Sequence, residues 1–522
     1  MLLKHCILII TGNSMNSRVI KNFFYILVIF LIILLKFFAS LNTGLFEDEA
    51  IYWNWSQSVD ASYSVTTVAL IKLFTALFNS SSEIIVRLPA LLSNLFIIFF
   101  IFKTGQLLNA GKEMIFITVI TFLSIPFVTI YSAFISPDSF ILTFSVISIY
   151  YLLKAVKQDN IQDWVLSGVF TGLMILSKYT ASLFLIAVAV SLLLIYRKFP
   201  GNCLYFFITS VIVSLPLILW NFINEAVWFK HYILTDADKI DAVFLQKIIS
   251  FLLSQVSILM PFGFILTVFL IVLLLKIKVV LPEIKLLKYL SLILFLISVL
   301  FSLSGKIKGN WFFISYIPLL LFLLTLNLKR FSKLLIVSTV VFNILLLAVI
   351  NLPSEKIEAL SSYKAAELIN KSFSSYWPDH KKNINNDYSW SDRIIKMKNW
   401  KETVNKIESD IKESGAEYDF IACDDFNLCP LLEYYFKDKE DIYLIGDPRF
   451  KYINSAESFT ELKGKDALIV SYNNSPHDLL INKFEYLNYL KDVKFKMTGK
   501  IDKDFKIIYG RNFLPEYTSN LK

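Results

Sequence analysis

Long apolar runs separated by short, cation-bearing connections dominate the chain as far as Leu352. A run of roughly 20 apolar residues crosses a bilayer as a helix. The pattern predicts about eleven such spans, near 22–41, 84–102, 113–131, 139–153, 164–177, 180–196, 203–222, 250–275, 287–303, 311–327 and 334–350. Beyond Leu352 the sequence becomes mixed and charged, and its length suits one soluble domain. There the β-like runs "YDFIACD", "DIYLIG", "DALIVSY" and "FKIIYGR" are separated by helix-like or irregular segments such as "CPLLEYYFKDKE" and "LLINKFEYLNYLKDV". That alternation predicts a small α/β sheet. The expected division is a transmembrane domain, 1–351, and a soluble α/β domain, 352–522.

Composition agrees. The 522 residues are 56% hydrophobic and 16% aromatic, well above the roughly 45–50% apolar share of a soluble domain. This pattern is that of a polytopic α-helical integral membrane protein. A net charge of +9 raises nucleic acid as a partner, but the cations sit in short clusters between spans, where they act as topology signals facing anionic lipid. Nucleic-acid binding is therefore not expected.

With Arg18 and Lys21 placed in the cytoplasm, the clusters Lys103/Lys112, Lys154/Lys157, Arg197/Lys198, Lys276/Lys278/Lys285/Lys288 and Lys329/Arg330/Lys333 all fall on that same side. The opposite side receives "EDEA", the long 223–249 connection and everything beyond Leu352. The C-terminal domain is therefore expected to be extracytoplasmic. At the N-terminus Lys4 precedes a short apolar run, but no small-residue cleavage site follows, so a signal peptide is not expected. Met15 is an alternative start. Cys423 and Cys429 would lie where disulfides persist; their spacing permits a bridge without specifying one, and two buried free thiols fit as well. No metal-ligand spacing appears.

Four places on the extracytoplasmic side carry candidate chemistry. In "TGLFEDEAIYWNWSQ", Asp48 and Glu49 are adjacent, so on a helix they project about 100° apart and can serve different purposes. The Trp and Tyr residues that follow suit an interfacial segment, and a solvated loop with an aromatic belt explains the same residues. "FISPDSF" puts Asp138 at a membrane edge, where it also serves as a first-turn helix acid. "LMILSKYTASLF" puts Lys178 between two apolar runs, either as a functional cation or as a lysine snorkelling to the interface. "SEIIVRLPALL" puts Arg87 just inside a span before Pro89. An ionisable group within or beside a span is a functional candidate.

Taken in order, "EDEAIYWNWSQ", "VRLPALL", "SPDSF", "GLMILSKYTA", "LPLILWNFINEAVWF" and "GNWFFISYIPLL" resemble the bacterial branch of the dolichyl-phosphate-mannose protein mannosyltransferase superfamily. That branch is similar in architecture to the aminoarabinose transferases acting on lipid A. The resemblance covers roughly residues 20–350; "GKDALIVSY" adds a weaker likeness to the extracytoplasmic domain of the branch. It implies a C-type glycosyltransferase fold and a polyprenyl-phosphate sugar donor. It also implies catalytic acids at Asp48, with Glu49 as partner, and at Asp138, and a motif lysine at Lys178. Family members commonly carry His-Pro-Pro or Lys-Pro-Pro after the first amphipathic helix. This chain instead reads "SYSVTTVALIKLF", so either Lys72 or Arg87 takes the place of the missing cation, or donor chemistry is altered or lost.

Transfer from a phosphate-linked sugar needs a base near the attacking hydroxyl and positive charge on the departing phosphate. The expected reaction is a direct, inverting displacement with one carboxylate as base. Lys178, Arg87 and Lys72 are the expected phosphate-binding cations, and the acceptor is a lipid, an envelope glycan or a protein. Asp48 and Glu49 offer oxygen ligands to a divalent cation, although the nearby cations can supply the same charge. Two other readings use the same features: a transporter or lipid flippase, against which stands the absence of an internal repeat, and a catalytically silent relative that presents its soluble domain as a scaffold.

Overall fold

The computed structural model describes residues 15–58, 63–223, 244–302, 313–361, 390–436, 442–445, 461–471, 482–496 and 502–514. The expected start at Met1 and most of the 223–249 connection lie outside the described residues. The chain divides into two compact units. The first comprises residues 1–40, 60–70 and 84–351; the second comprises 41–59, 71–83 and 352–522.

The first unit is helical. Among the described residues, eight helices are long and apolar enough to cross a membrane: Val19–Leu41, Glu83–Leu107, Pro137–Gln158, Tyr179–Tyr196, Cys203–Ile223, Ile258–Lys276, Pro282–Phe301 and Arg330–Ile350. The protein is an integral membrane protein. In α1 (Met15–Leu41) the buried positions Ile32, Lys36, Ala39 and Ser40 follow helical spacing, while Phe23, Leu27, Phe30 and Leu31 are exposed on the lipid-compatible side.

The remaining expected spans are shorter or broken, each for a local reason. The run 113–131 splits into Lys112–Ser124 and Pro126–Tyr131 at Ile125, which adopts φ −66°, ψ 125° because the residue before a proline avoids the α region. The run 311–327 yields one short helix, Tyr316–Leu321, flanked by 3₁₀ turns, and its side chains from Phe313 to Leu324 are buried. It fills the core and does not face lipid. The run 164–177 gives Ile161–Ser177, which packs tightly on Cys203–Ile223. A Cβ at Gly168 would meet the Phe206 carbonyl oxygen at 2.6 Å, and one at Gly172 would meet Val213 Cβ at 2.5 Å. Two glycines one turn apart thus let these helices touch through their backbones.

In the second unit a five-stranded sheet has the order β2-β1-β3-β5-β4. Its strands are β1 (Phe420–Cys423), β2 (Ile442–Leu444), β3 (Ala467–Ser471), β4 (Phe484–Lys496) and β5 (Asp502–Phe513). β1 runs parallel to β2 and β3, and β5 lies antiparallel to both β3 and β4. Phe420, Ile469, Phe484, Ile508 and Phe513 form one face of its core. Strand β4 corrects the helix-like or irregular reading of "LLINKFEYLNYLKDV". Its register shifts between Tyr489 and Lys491, and a bulge of this kind shifts the alternation of faces, which erases the two-residue period a strand ordinarily shows. Cys423 and Cys429 form a disulfide with a Cα–Cα distance of 5.8 Å, and Cys203 is a buried free thiol.

Candidate functional site

The acidic segment begins a helix of the second unit, Glu47–Ser58, with Glu47, Asp48 and Glu49 in its first turn, where carboxylates favour the helix dipole. The two adjacent acids differ sharply in setting. Asp48 is exposed, whereas Glu49 is fully buried. Glu49 Oε2 accepts the Phe46 backbone N–H at 3.4 Å, the reach from the third helical position back to the N-cap that forms half of a capping box. Glu47 pairs with Lys396 Nζ at 2.6 Å. Lys72 lies half-exposed on the helix Val65–Leu77. That helix starts at the stretch "SYSVTTVALIKLF", where the family resemblance leads one to expect a basic residue and prolines. Here Ser64 Oγ donates to Thr67 Oγ1 at 2.7 Å, so a hydroxyl pair occupies the first turn.

The first unit holds the other expected residues. Asp138 sits in the first turn of Pro137–Gln158, whose N-cap Ser136 forms a capping box with Ser139. Lys178 ends the helix Ile161–Ser177 in an extended conformation before the 3₁₀ turn Tyr179–Ser182. The structure brings these two together. Lys178 Nζ donates to Asp138 Oδ1 at 3.0 Å and Oδ2 at 3.3 Å, and both side chains are about 95% buried, with 6% and 5% exposed. Lys178 is therefore neither a snorkelling lysine nor the lone cation its sequence context suggests. Taking two charges out of water is costly, and only good geometry with mutual pairing offsets it.

Arg87 is fully buried; its Nη1 donates to the Ser40 carbonyl at 2.7 Å, and its guanidinium lies 4.9 Å from the centre of the Phe134 ring. Sequence reasoning passed over a second buried cation beside it. Lys36, fully buried within α1, donates to Asn94 Oδ1 at 3.1 Å and Ser132 Oγ at 2.9 Å. Ser40 Oγ donates to the Ala133 carbonyl at 2.8 Å, Asn94 Nδ2 to the Ser132 carbonyl at 2.8 Å, and Ser139 Oγ to the Phe134 carbonyl at 3.1 Å. The strap 132–136 that delivers Asp138 is thus held from three helices. The signal that could have found Lys36 was a single cation inside an otherwise apolar run.

Among the described residues, no three His, Cys, Asp or Glu side chains gather as metal ligands. Asp48 is thus open to solvent, while buried Glu49 keeps one oxygen on a backbone amide.

Residues 64–220 match the family model for dolichyl-phosphate-mannose-protein mannosyltransferase. Over that stretch, less than half of its length, the chain is similar to that family. Lys72, Arg87, Asp138 and Lys178 lie inside the matched stretch, and Asp48 and Glu49 precede it. The fold is the C-type glycosyltransferase fold. It superposes on the crystal structure of ArnT from Cupriavidus metallidurans in the apo state with a TM-score of 0.61 and 14% identity, covering 94% of this chain and 98% of that one. The same enzyme bound to undecaprenyl phosphate gives a TM-score of 0.58 at 14% identity, over 93% and 98%. A curated relative, the lipid A galacturonosyltransferase RgtD of Rhizobium johnstonii, is 27% identical over 194 residues. That alignment spans 36% of this chain and only 41% of the relative's length.

Proposed function

We propose that this protein transfers a sugar from a polyprenyl-phosphate donor to an extracytoplasmic acceptor, with lipid A as the first candidate acceptor. It does so at the outer face of a bacterial inner membrane. The observation that carries the reading is the family match over the stretch containing Arg87, Asp138 and Lys178. Kinship with a lipid A galacturonosyltransferase and a fold like that of an enzyme solved with undecaprenyl phosphate support the donor and acceptor classes.

In this reading Asp48 is the base. An acceptor hydroxyl attacks the anomeric carbon, its proton passes to the Asp48 carboxylate, and the bond from that carbon to the phosphate oxygen breaks with inversion. Polyprenyl phosphate leaves carrying the bonding electron pair. Glu49 holds the start of the helix so that Asp48 points outward. Within the first unit Lys178 and Asp138 form a buried pair, and Arg87 is the proposed phosphate cation there. A lipid-linked donor accounts for a site at the bilayer edge: the isoprenoid stays in lipid while the sugar phosphate meets the aqueous side.

The test is sugar transfer in membranes containing the purified chain, with polyprenyl-phosphate galacturonic acid as the first donor and lipid A as acceptor. Product formation that is lost in Asp48→Asn supports the reading. Absence of transfer from any polyprenyl-phosphate sugar would overturn it in favour of a silent scaffold.

A further inference from the structure

We infer that the C-terminal domain is a working part of the active site, with Tyr435 and Glu433 as positioning residues for Asp48. The catalytic meaning of this inference rests on the reaction proposed above; its structural content does not.

The acidic segment and the domain belong to one compact unit. The helix Leu428–Tyr435 packs along Glu47–Ser58, and its side chains grip that helix on both sides of Asp48. Ahead of it, the Leu45 backbone N–H donates to Tyr435 Oη at 2.5 Å. Gly44 makes room for this contact, because a Cβ there would stand 2.7 Å from the same hydroxyl oxygen. Beyond Asp48, the Asn54 amide donates to the Glu433 carboxylate, and the Trp53 ring meets Tyr434 edge-on at 4.9 Å. A second helix, Trp390–Ser414, adds the Lys396–Glu47 pair and a bond from Lys398 Nζ to the Asn42 carbonyl at 3.2 Å.

The gripping helix is itself anchored to the sheet. Asp425 Oδ1 accepts the N–H groups of Asn427 and Leu428 at 2.9 and 3.0 Å, and the Cys423–Cys429 disulfide ties the helix's first turn to the end of β1. A fixed path therefore runs from strand β1, through a stapled helix, to the backbone on either side of an exposed carboxylate. Solubility alone would not require polar contacts this specific on the acidic helix. A base needs such placement, because displacing a reacting group by about 1 Å costs on the order of a hundredfold in rate.

The test uses the full-length protein in proteoliposomes, with Tyr435→Phe, Glu433→Leu and Glu433→Gln. Tyr435→Phe and Glu433→Leu should lower kcat by about tenfold to a hundredfold, leaving the donor KM within about twofold, as expected when ground-state binding is untouched. Glu433→Gln keeps an acceptor oxygen for Asn54 and should recover kcat to within about threefold of the parent. Amide hydrogen exchange from Leu45 to Tyr52 should rise in the first two variants and not in the third. Parent-like kcat in Tyr435→Phe and Glu433→Leu overturns the inference, as does loss of protection spread evenly over β1 and β3, which marks general unfolding. If the parent itself transfers no sugar, the reaction reading fails. Exchange then decides alone: faster exchange in Tyr435→Phe upholds the positioning contact, and unchanged exchange overturns it.

Discussion

Lys178 and Asp138, forty residues apart in sequence, form a bidentate ion pair at 3.0 and 3.3 Å with both side chains almost wholly withdrawn from solvent. Removing one member leaves the other charge buried without its counterpart, a loss of about 3–5 kcal/mol. Lys178→Met should therefore lower the thermal unfolding temperature of the detergent-solubilised protein. Adding Asp138→Asn should recover most of that loss, which a double-mutant cycle measures. Lys178→Arg, which keeps the charge but changes reach and fork geometry, should fall between the parent and Lys178→Met. Strict additivity of the two single changes would count against the pair as a unit.

The adjacent acids predict opposite phenotypes. Asp48 is exposed, so Asp48→Asn should leave folding and expression unchanged while lowering turnover by roughly 10²- to 10⁴-fold, as loss of a general base does. Glu49 is buried against the helix start. Glu49→Ala should cost stability as well, about 1 kcal/mol or more for the lost cap. Turnover and melting temperature measured on the same preparations separate the two.

Topology is open to direct measurement. Reporter fusions at Lys157 and Arg330 should read cytoplasmic, and a fusion just after Leu352 should read extracytoplasmic, as the positive-inside reading of the sequence predicts. A cytoplasmic signal after Leu352 would remove the assignment of the acidic segment to the outer face.

Acid should loosen the C-terminal domain at a defined residue. The Tyr509 hydroxyl, followed by the Asn512 backbone N–H at 2.9 Å, holds the Asp466 carboxyl below the usual carboxylate range. Because its folded pKa is depressed, Asp466 contributes stability that is fully present above about pH 4 and is lost as pH falls through the folded value. Asp466→Asn should lower stability at neutral pH and flatten its decline below about pH 4. Denaturant titrations at pH 3 to 7, followed by near-ultraviolet dichroism, test this.

Much of this molecule was legible in the sequence because membrane spans and ordered motifs write themselves locally. Asp138 and Lys178 were each visible as charges at membrane edges, but their contact was not, since nothing in the spacing of two motifs on different helices specifies that their ends meet. Lys36 was hidden by its surroundings: one cation among apolar neighbours scarcely alters a hydropathy reading, yet it anchors the strap before Asp138. Strand β4 was hidden by its bulge, which leaves Phe484 and Val493 buried, with half-buried Leu487 and Leu490 between them at a three-residue spacing more typical of a helix. Tyr435 and Glu433 gave no signal, because an aromatic and an acid on a short helix become informative only once the partner segment is beside them.

The neutral partners of Lys36 also carry a consequence for how the protein is made. Asn94 and Ser132 lie 58 and 96 residues downstream, so the ribosome delivers the lysine to the membrane well before either acceptor exists. A lysine at the centre of an inserting helix costs roughly 2.5–3.5 kcal/mol. Lys36 lies near the end of its helix, from where a long amine can reach the headgroups while it waits. The first span is therefore expected to insert with its lysine near the surface and to bury it only when later helices arrive. Truncated nascent chains ending before Asn94 should leave Lys36 open to amine-reactive reagents, and chains extending past Ser132 should shield it.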